Sequence, residues 1–248
     1  MIALSGSGQD CECAKTAQPH SGWRVLLWFG LIAVATSALM LLYYILPTPI
    51  AWIEARPDPT AATRRVHLSV GGKQFLIPAN YIVYSSERQG GPHHRLTLAA
   101  LIPDFRGYSR AEAQQFADDS ARSRVVHLRI WADALALSER AQLQRVLLTF
   151  VKSTSGQAGP FGLTRYRFRG DNGYRGQDLF VGVYNGQTVV LRCWRTAGTN
   201  QAPDCMRDLR LGRNVVLSYR FKRSYLGQWR QIAQGVLQLL ARFAPPSP

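Results

Sequence analysis

Between Trp23 and Leu46 the chain reads WRVLLWFGLIAVATSALMLLYYIL, and from Val25 to Leu46 it runs 22 residues without a charge. At about 1.5 Å of rise per residue, a helix of that length matches the roughly 30 Å hydrocarbon core of a bilayer. Only Thr36 and Ser37 interrupt the apolar surface, so the stretch lacks the polar face of an amphipathic core helix. A cleaved signal segment is the rival reading, because small residues occur in AVATSA. Signal cores typically run only about 7 to 15 residues, however. We therefore expect a single-pass helix over 23–46, with Trp23 and Trp28 near one membrane interface and Tyr43 and Tyr44 near the other.

The span divides the chain into a short tail (1–22), the helix (23–46), a proline-rich stalk (47–65) and a folded domain (66–248). The net charge of +15 falls almost wholly on one side of it. Lys15 and Arg24 are balanced by Asp10 and Glu12, so 30 − 2 = 28 Lys/Arg face 15 − 2 = 13 Asp/Glu in residues 47–248. Neutralised phosphates supply much of nucleic-acid affinity, but here the basic residues are scattered and nearly all arginine, the signature of a GC-rich coding sequence. Nucleic acid is not expected as a partner; anionic lipid headgroups and acidic proteins are nearer to a domain tethered on a bilayer.

Cys193 and Cys205 flank a turn-rich stretch, LRCWRTAGTNQAPDC, and their spacing suits a disulfide. Cys11 and Cys13 lie before the span with no further metal ligands nearby and read as free thiols of a solvated tail. A disulfide belongs in an oxidising compartment, and long domains translocate largely regardless of flanking charge. No Asn-x-Ser/Thr acceptor occurs at Asn80, Asn172, Asn185, Asn200 or Asn214. These features together point to a bacterial inner membrane, with the N-terminus cytoplasmic and the C-terminal domain periplasmic.

Within the domain, VHLSV-GG-KQFLI and FVGVY-NG-QTVVLRC alternate apolar and polar residues around dipeptides that tolerate the positive φ of a tight turn, and both read as hairpins. RLTLAALI, Val125–Trp131, Leu163–Arg169 and NVVLSYRF add strands. Ser109 and Glu112 have capping-box spacing for a helix over about 110–122. Leu143, Val146, Leu147, Phe150 and Val151 predict a helix over 138–152. Leu226, Trp229, Ile232, Val236, Leu240 and Phe243 form one apolar stripe over 226–243. The expected fold class is α+β: a single-pass N-terminal transmembrane helix followed by a mainly antiparallel sheet packed with two amphipathic helices. The echo of VHLSV at 66–70 in VHLRI at 126–130 is too short to establish a repeat.

Catalytic signatures are sparse. His93 and His94 are adjacent in a Gly/Pro-rich loop and would need a third ligand such as Asp104 to hold a metal; metal-ligand spacings are absent. His67 and His127 sit beside apolar strand residues and read as packed or edge histidines. No G-x-S-x-G or phosphate-cradling glycine motif occurs, and Asp118 and Asp119 would point about 100° apart on a helix. No enzyme activity and no cofactor is expected. RYRFRGDNGYR places Arg165, Arg167 and Arg169 on one strand face and Tyr166 and Phe168 on the other, a candidate face for an anion or an acidic partner.

The layout resembles that of bitopic envelope proteins, including subunits of secretion and division assemblies. It implies a non-enzymatic periplasmic binding domain whose partners are the bilayer and another envelope protein, membrane confinement raising its effective concentration. A membrane-anchored immunity protein that neutralises a periplasmic toxin, and an envelope-acting hydrolase, are the alternatives.

Overall fold

The computed structural model describes residues 22–45, 56–195 and 202–246. The chain divides into two compact units, Met1–Trp52 and Ile53–Pro248. In the first, α1 runs Gly22–Ile45. Its long apolar side chains are exposed, and its length and hydropathy suffice to cross a membrane. A signal segment with an unusually long apolar core would have the same properties.

The second unit is α+β. Its large sheet holds eight strands in the order β4-β5-β11-β10-β9-β8-β7-β6, every neighbouring pair antiparallel. These are β4 (Arg95–Leu101), β5 (Val125–Ala132), β6 (Gln157–Ala158), β7 (Thr164–Arg167), β8 (Gln177–Tyr184), β9 (Gln187–Trp194), β10 (Asp204–Arg210) and β11 (Val215–Lys222). A second sheet orders β2-β1-β3: β1 (Arg65–Val70) and β2 (Lys73–Pro78) form the Gly71-Gly72 hairpin, and β3 (Gly91–His93) joins β1 in parallel. Both expected hairpin turns are present, with positive φ at Gly71 and Gly72 and at Asn185 and Gly186. VHLSV and VHLRI lie in different sheets.

The core sits between the small sheet with α4 (Trp229–Arg242) and the inner face of the large sheet. Val66, Leu68 and Val70 of β1 meet Leu96, Leu98, Val126, Leu128 and Ile130, together with Trp229, Ile232, Val236 and Leu239. Gly182 of β8 leaves room for Trp229, since a Cβ there would lie 3.0 Å from the indole. Burying a side chain of that size contributes more than the roughly 1.5–3 kcal/mol of a buried aliphatic. The expected stripe is present: Leu226, Trp229, Ile232, Val236 and Phe243 are buried and Leu240 partly so, with Leu239 added to it.

Elsewhere the helices are shorter than periodicity predicts. In place of a helix over 110–122, a 3-10 turn (Arg110–Glu112) leads into α2 (Ala113–Ala117) and stops where Asp118 accepts the Ser120 N–H. Ser109 donates to the Glu112 carboxylate instead of capping backbone N–H groups. Similarly, α3 (Glu139–Arg145) is capped by Ser138 as expected, but Val146 leaves helical φ/ψ and a 3-10 turn carries Leu147 into a satellite cluster with Val151, Phe168, Leu179 and Val190. Tertiary burial of those side chains outweighs helix continuation there. β10, β3 and the two-residue β6 are not expected from the sequence pattern. DCMRDLR hides its strand because inward-facing Arg207 interrupts the apolar alternation, and GPH pairs only through distant β1.

The described part of the proline-rich stretch lies against the domain. The Asp58 N–H donates to the Val83 carbonyl at 2.9 Å, and the Arg88 guanidinium pairs with the Asp58 carboxylate at 2.8 Å.

Candidate functional site

The inner face of the large sheet is filled, but the outer face of β4-β5-β11-β10 is a groove of about 1400 Å³. Cross-strand register lays its floor out in three rows. The first is Ala99, His127, Arg220 and Met206. The second is Thr97, Arg129, Ser218 and Asp208, and the third Arg95 and Trp131. Period-two alternation explains the composition: Val126, Leu128 and Ile130 point into the core, so His127, Arg129 and Trp131 point out. Pro57, Pro59 and residues 80–84 form one wall; Tyr108, Ala113 and Phe116 form another.

The edge of β4 is closed. Ile82 bridges Leu98, Val83 N–H donates to the Thr97 carbonyl, and the Glu87 carboxylate accepts the Thr97 N–H at 2.6 Å and its hydroxyl at 3.3 Å. Glu87 is only 8% exposed. Burial pushes its carboxyl up, against the pull of Thr97 and Arg95, and the net shift is upward.

Positive charge dominates the floor. Arg129 and Arg95 have no carboxylate within 4 Å among the described residues. Arg220 contacts Asp204 at 3.2 Å, and Lys222 contacts Asp119 at 2.6 Å and Asp204 at 3.3 Å. Asp208 is taken up by Arg192 at 2.5 Å. His127 reaches solvent but is crowded by the groove wall; burial first, then the Arg220 guanidinium, push its imidazole down to about 4. Among the described residues no hydrogen bond joins His127 to Ser218 or Thr97, so no nucleophile–base pair is assembled on this floor.

The residues singled out from sequence scatter. Arg165 donates to both oxygens of fully buried Asp178 at 3.2 and 3.1 Å, and Arg223 holds the same carboxylate at 2.9 Å. Arg169 lies 3.5 Å from Asp171. Of the three arginines, only Arg167 has no acidic partner among the described residues, and together they do not make one free basic face. Tyr166 and Phe168 do face the satellite cluster. His94 lines the groove, whereas His93 sits on β3 with its ring against the Gly90 carbonyl, and Asp104 lies 3.6 Å from Arg106. Among the described residues no three His, Cys, Asp or Glu side chains gather as a metal site. His67 is exposed on β1, and His127 points into the groove rather than into the core. Cys11 and Cys13 fall outside the described residues.

Cys193 and Cys205 are direct partners across β9 and β10 and are joined by a disulfide. Trp23, Trp28, Tyr43 and Tyr44 project from α1, each exposed. Sequence reasoning missed Arg95, Arg129 and Arg220. The available signal was the polar half of the alternation in RLTLAA, VHLRIW and VLSYRF, read only for its apolar half.

No protein-family model and no curated protein matches the sequence. By fold, the chain is similar to Smlt3025, an immunity protein of the Stenotrophomonas maltophilia type IV secretion system, with TM-score 0.54 and 16% identity over 77% of this chain and 100% of that one. It also matches the iron-regulated outer membrane lipoprotein FrpD of Neisseria meningitidis, with TM-score 0.44 and 14% identity over 76% of this chain and 98% of that one. At these identities the likeness is one of fold.

Proposed function

We propose that the chain is a membrane-anchored periplasmic binding protein of the immunity type, holding its groove-bearing domain at the inner membrane to capture a toxin that arrives in the periplasm. The observation that carries this reading is the outer groove. At about 1400 Å³ it exceeds the ~300–1,000 Å³ of small-molecule pockets and suits a segment of another protein. Fold likeness to an immunity protein supports the same reading. So does α1, which as an uncleaved anchor with its N-terminus in the cytoplasm would place the disulfide on the oxidising side.

In-membrane cross-linking tests it, with Ser218 replaced by a photo-reactive phenylalanine analogue on the groove floor. Capture of a secreted toxin, together with survival of cells that carry that toxin in their periplasm only when this chain is present, is the expected result. Capture of a resident envelope subunit would instead make the chain part of an envelope assembly. Capture of nothing defeats both.

A further inference from the structure

We propose that the groove receives an extended acidic segment of the protein partner, lying obliquely across β4, β5 and β11 with alternate carboxylates on Arg95, Arg129 and Arg220. This rests on the binding reading above and names the chemistry that fills the site.

The register supplies the spacing. Arg129 is level with Thr97 and Ser218, Arg95 is one row up on β4, and Arg220 is one row down on β11. The three arginines therefore lie on one diagonal of the sheet face. Diagonal neighbours across a sheet are about 7–8 Å apart, and side chains at i and i+2 of an extended chain are about 6.6 Å apart on its own rise per residue. An extended segment with an acid at every second position thus matches the diagonal to within the reach of an arginine side chain.

The charges favour such a guest. Arg95 and Arg129 have no acidic partner within 4 Å among the described residues, and Arg220 shares Asp204 with Lys222. His127 lies beside Arg220 in the same row, where burial first and then the Arg220 guanidinium disfavour its imidazolium. Half-buried Trp131, level with Arg95, and Phe116 on the wall offer apolar contact to the intervening residues. The guest lies over the face and does not extend the sheet at β4, because Val83 and Glu87 already use the Thr97 carbonyl and N–H of that edge.

Binding of two labelled peptides, TETETET and its glutamine counterpart TQTQTQT, to the full chain in neutral detergent tests this by fluorescence polarisation. The glutamate peptide should bind, and the glutamine peptide should bind at least about tenfold more weakly, as expected for loss of charge-assisted hydrogen bonds. R95Q and R129Q should each weaken the glutamate peptide by about tenfold, while R167Q, on β7 outside the groove, should not. Absence of binding at millimolar peptide, equal binding of the two peptides, or indifference to R95Q and R129Q would overturn the inference. Displacement of the peptide by phosphatidylglycerol vesicles but not by phosphatidylcholine vesicles would assign the groove to lipid headgroups and overturn it as well. Failure of the wild-type chain to protect cells, with peptide binding intact, removes the immunity reading and leaves the groove chemistry standing. Full protection by an R95Q/R129Q chain that has lost the peptide removes the groove inference alone.

Discussion

The Arg207 guanidinium holds the Glu139 carboxylate through two hydrogen bonds, Nε to Oε1 at 2.8 Å and Nη2 to Oε2 at 2.7 Å. Oε1 also accepts the Val190 N–H at 3.1 Å. β9 and β10 pair only at Cys193–Cys205 and Arg192–Met206, and beyond that ladder Glu139 of α3 ties the separating strands together. Arg207 is 3% exposed, so removing its partner leaves a buried charge uncompensated. Glu139→Gln should lower unfolding stability by about 3 kcal/mol, measured by urea denaturation of the detergent-solubilised chain. A Glu139→Leu/Arg207→Met double variant should lose much less, because both charges leave together.

The disulfide beside that ladder closes a sequence separation of 12 residues. Cys193→Ser/Cys205→Ser should cost about 3 kcal/mol by the loop-entropy relation. The same urea midpoint, compared with and without reductant, checks it: wild type should respond to reductant and the double variant should not.

RYRFR divides into structural and solvent-facing arginines. Asp178 is fully buried between Arg165 and Arg223, so Arg165→Gln should destabilise by roughly 1–3 kcal/mol and Asp178→Asn by more. Exposed Arg167→Gln should stay within about 0.5 kcal/mol. Equal thermal shifts for Arg165→Gln and Arg167→Gln would contradict this division.

His127 should titrate near pH 4 in the folded chain rather than near its ordinary 6.5, because burial and then Arg220 and Lys222 disfavour the imidazolium against the pull of Asp119. The sign follows from linkage: between the two values the unfolded chain binds more protons, so the contribution of this group is fully present above pH 6.5 and is lost as pH falls toward 4. Imidazole proton shifts followed by NMR give the midpoint, and Arg220→Gln should raise it.

Gly235 of α4 packs on buried Phe105, whose ring would lie 1.9 Å from a Cβ built there. Alanine is the better helix former by about 1 kcal/mol, yet Gly235→Ala should destabilise by about 1–3 kcal/mol through overpacking. A raised melting temperature would contradict the contact.

Some of this protein was legible from local pattern. The apolar run that forms α1, the Gly71-Gly72 and Asn185-Gly186 turns and the closing helix each follow from residues near one another in sequence, because periodicity and turn sterics act locally. The disulfide was legible from a turn-rich spacing. Helix length was not: Val146 abandons helical geometry so that Leu147 can reach Leu179 and Val190, contacts that no window of sequence contains.

The groove belongs to tertiary structure alone. Arg95, Arg129 and Arg220 are unremarkable as residues of three separate strands and come onto one diagonal only because β11 inserts beside β5, with a register set by the apolar half of each strand meeting the core. Conversely, RYRFR looks like a basic face until a carboxylate from the neighbouring strand is brought beneath Arg165. Sequence by itself determined where the chain is apolar enough to span, where it turns and which cysteines meet. Folding decided which arginines are neutralised and which remain free to bind, because ion pairing depends on distances between strands that the chain brings together only in three dimensions.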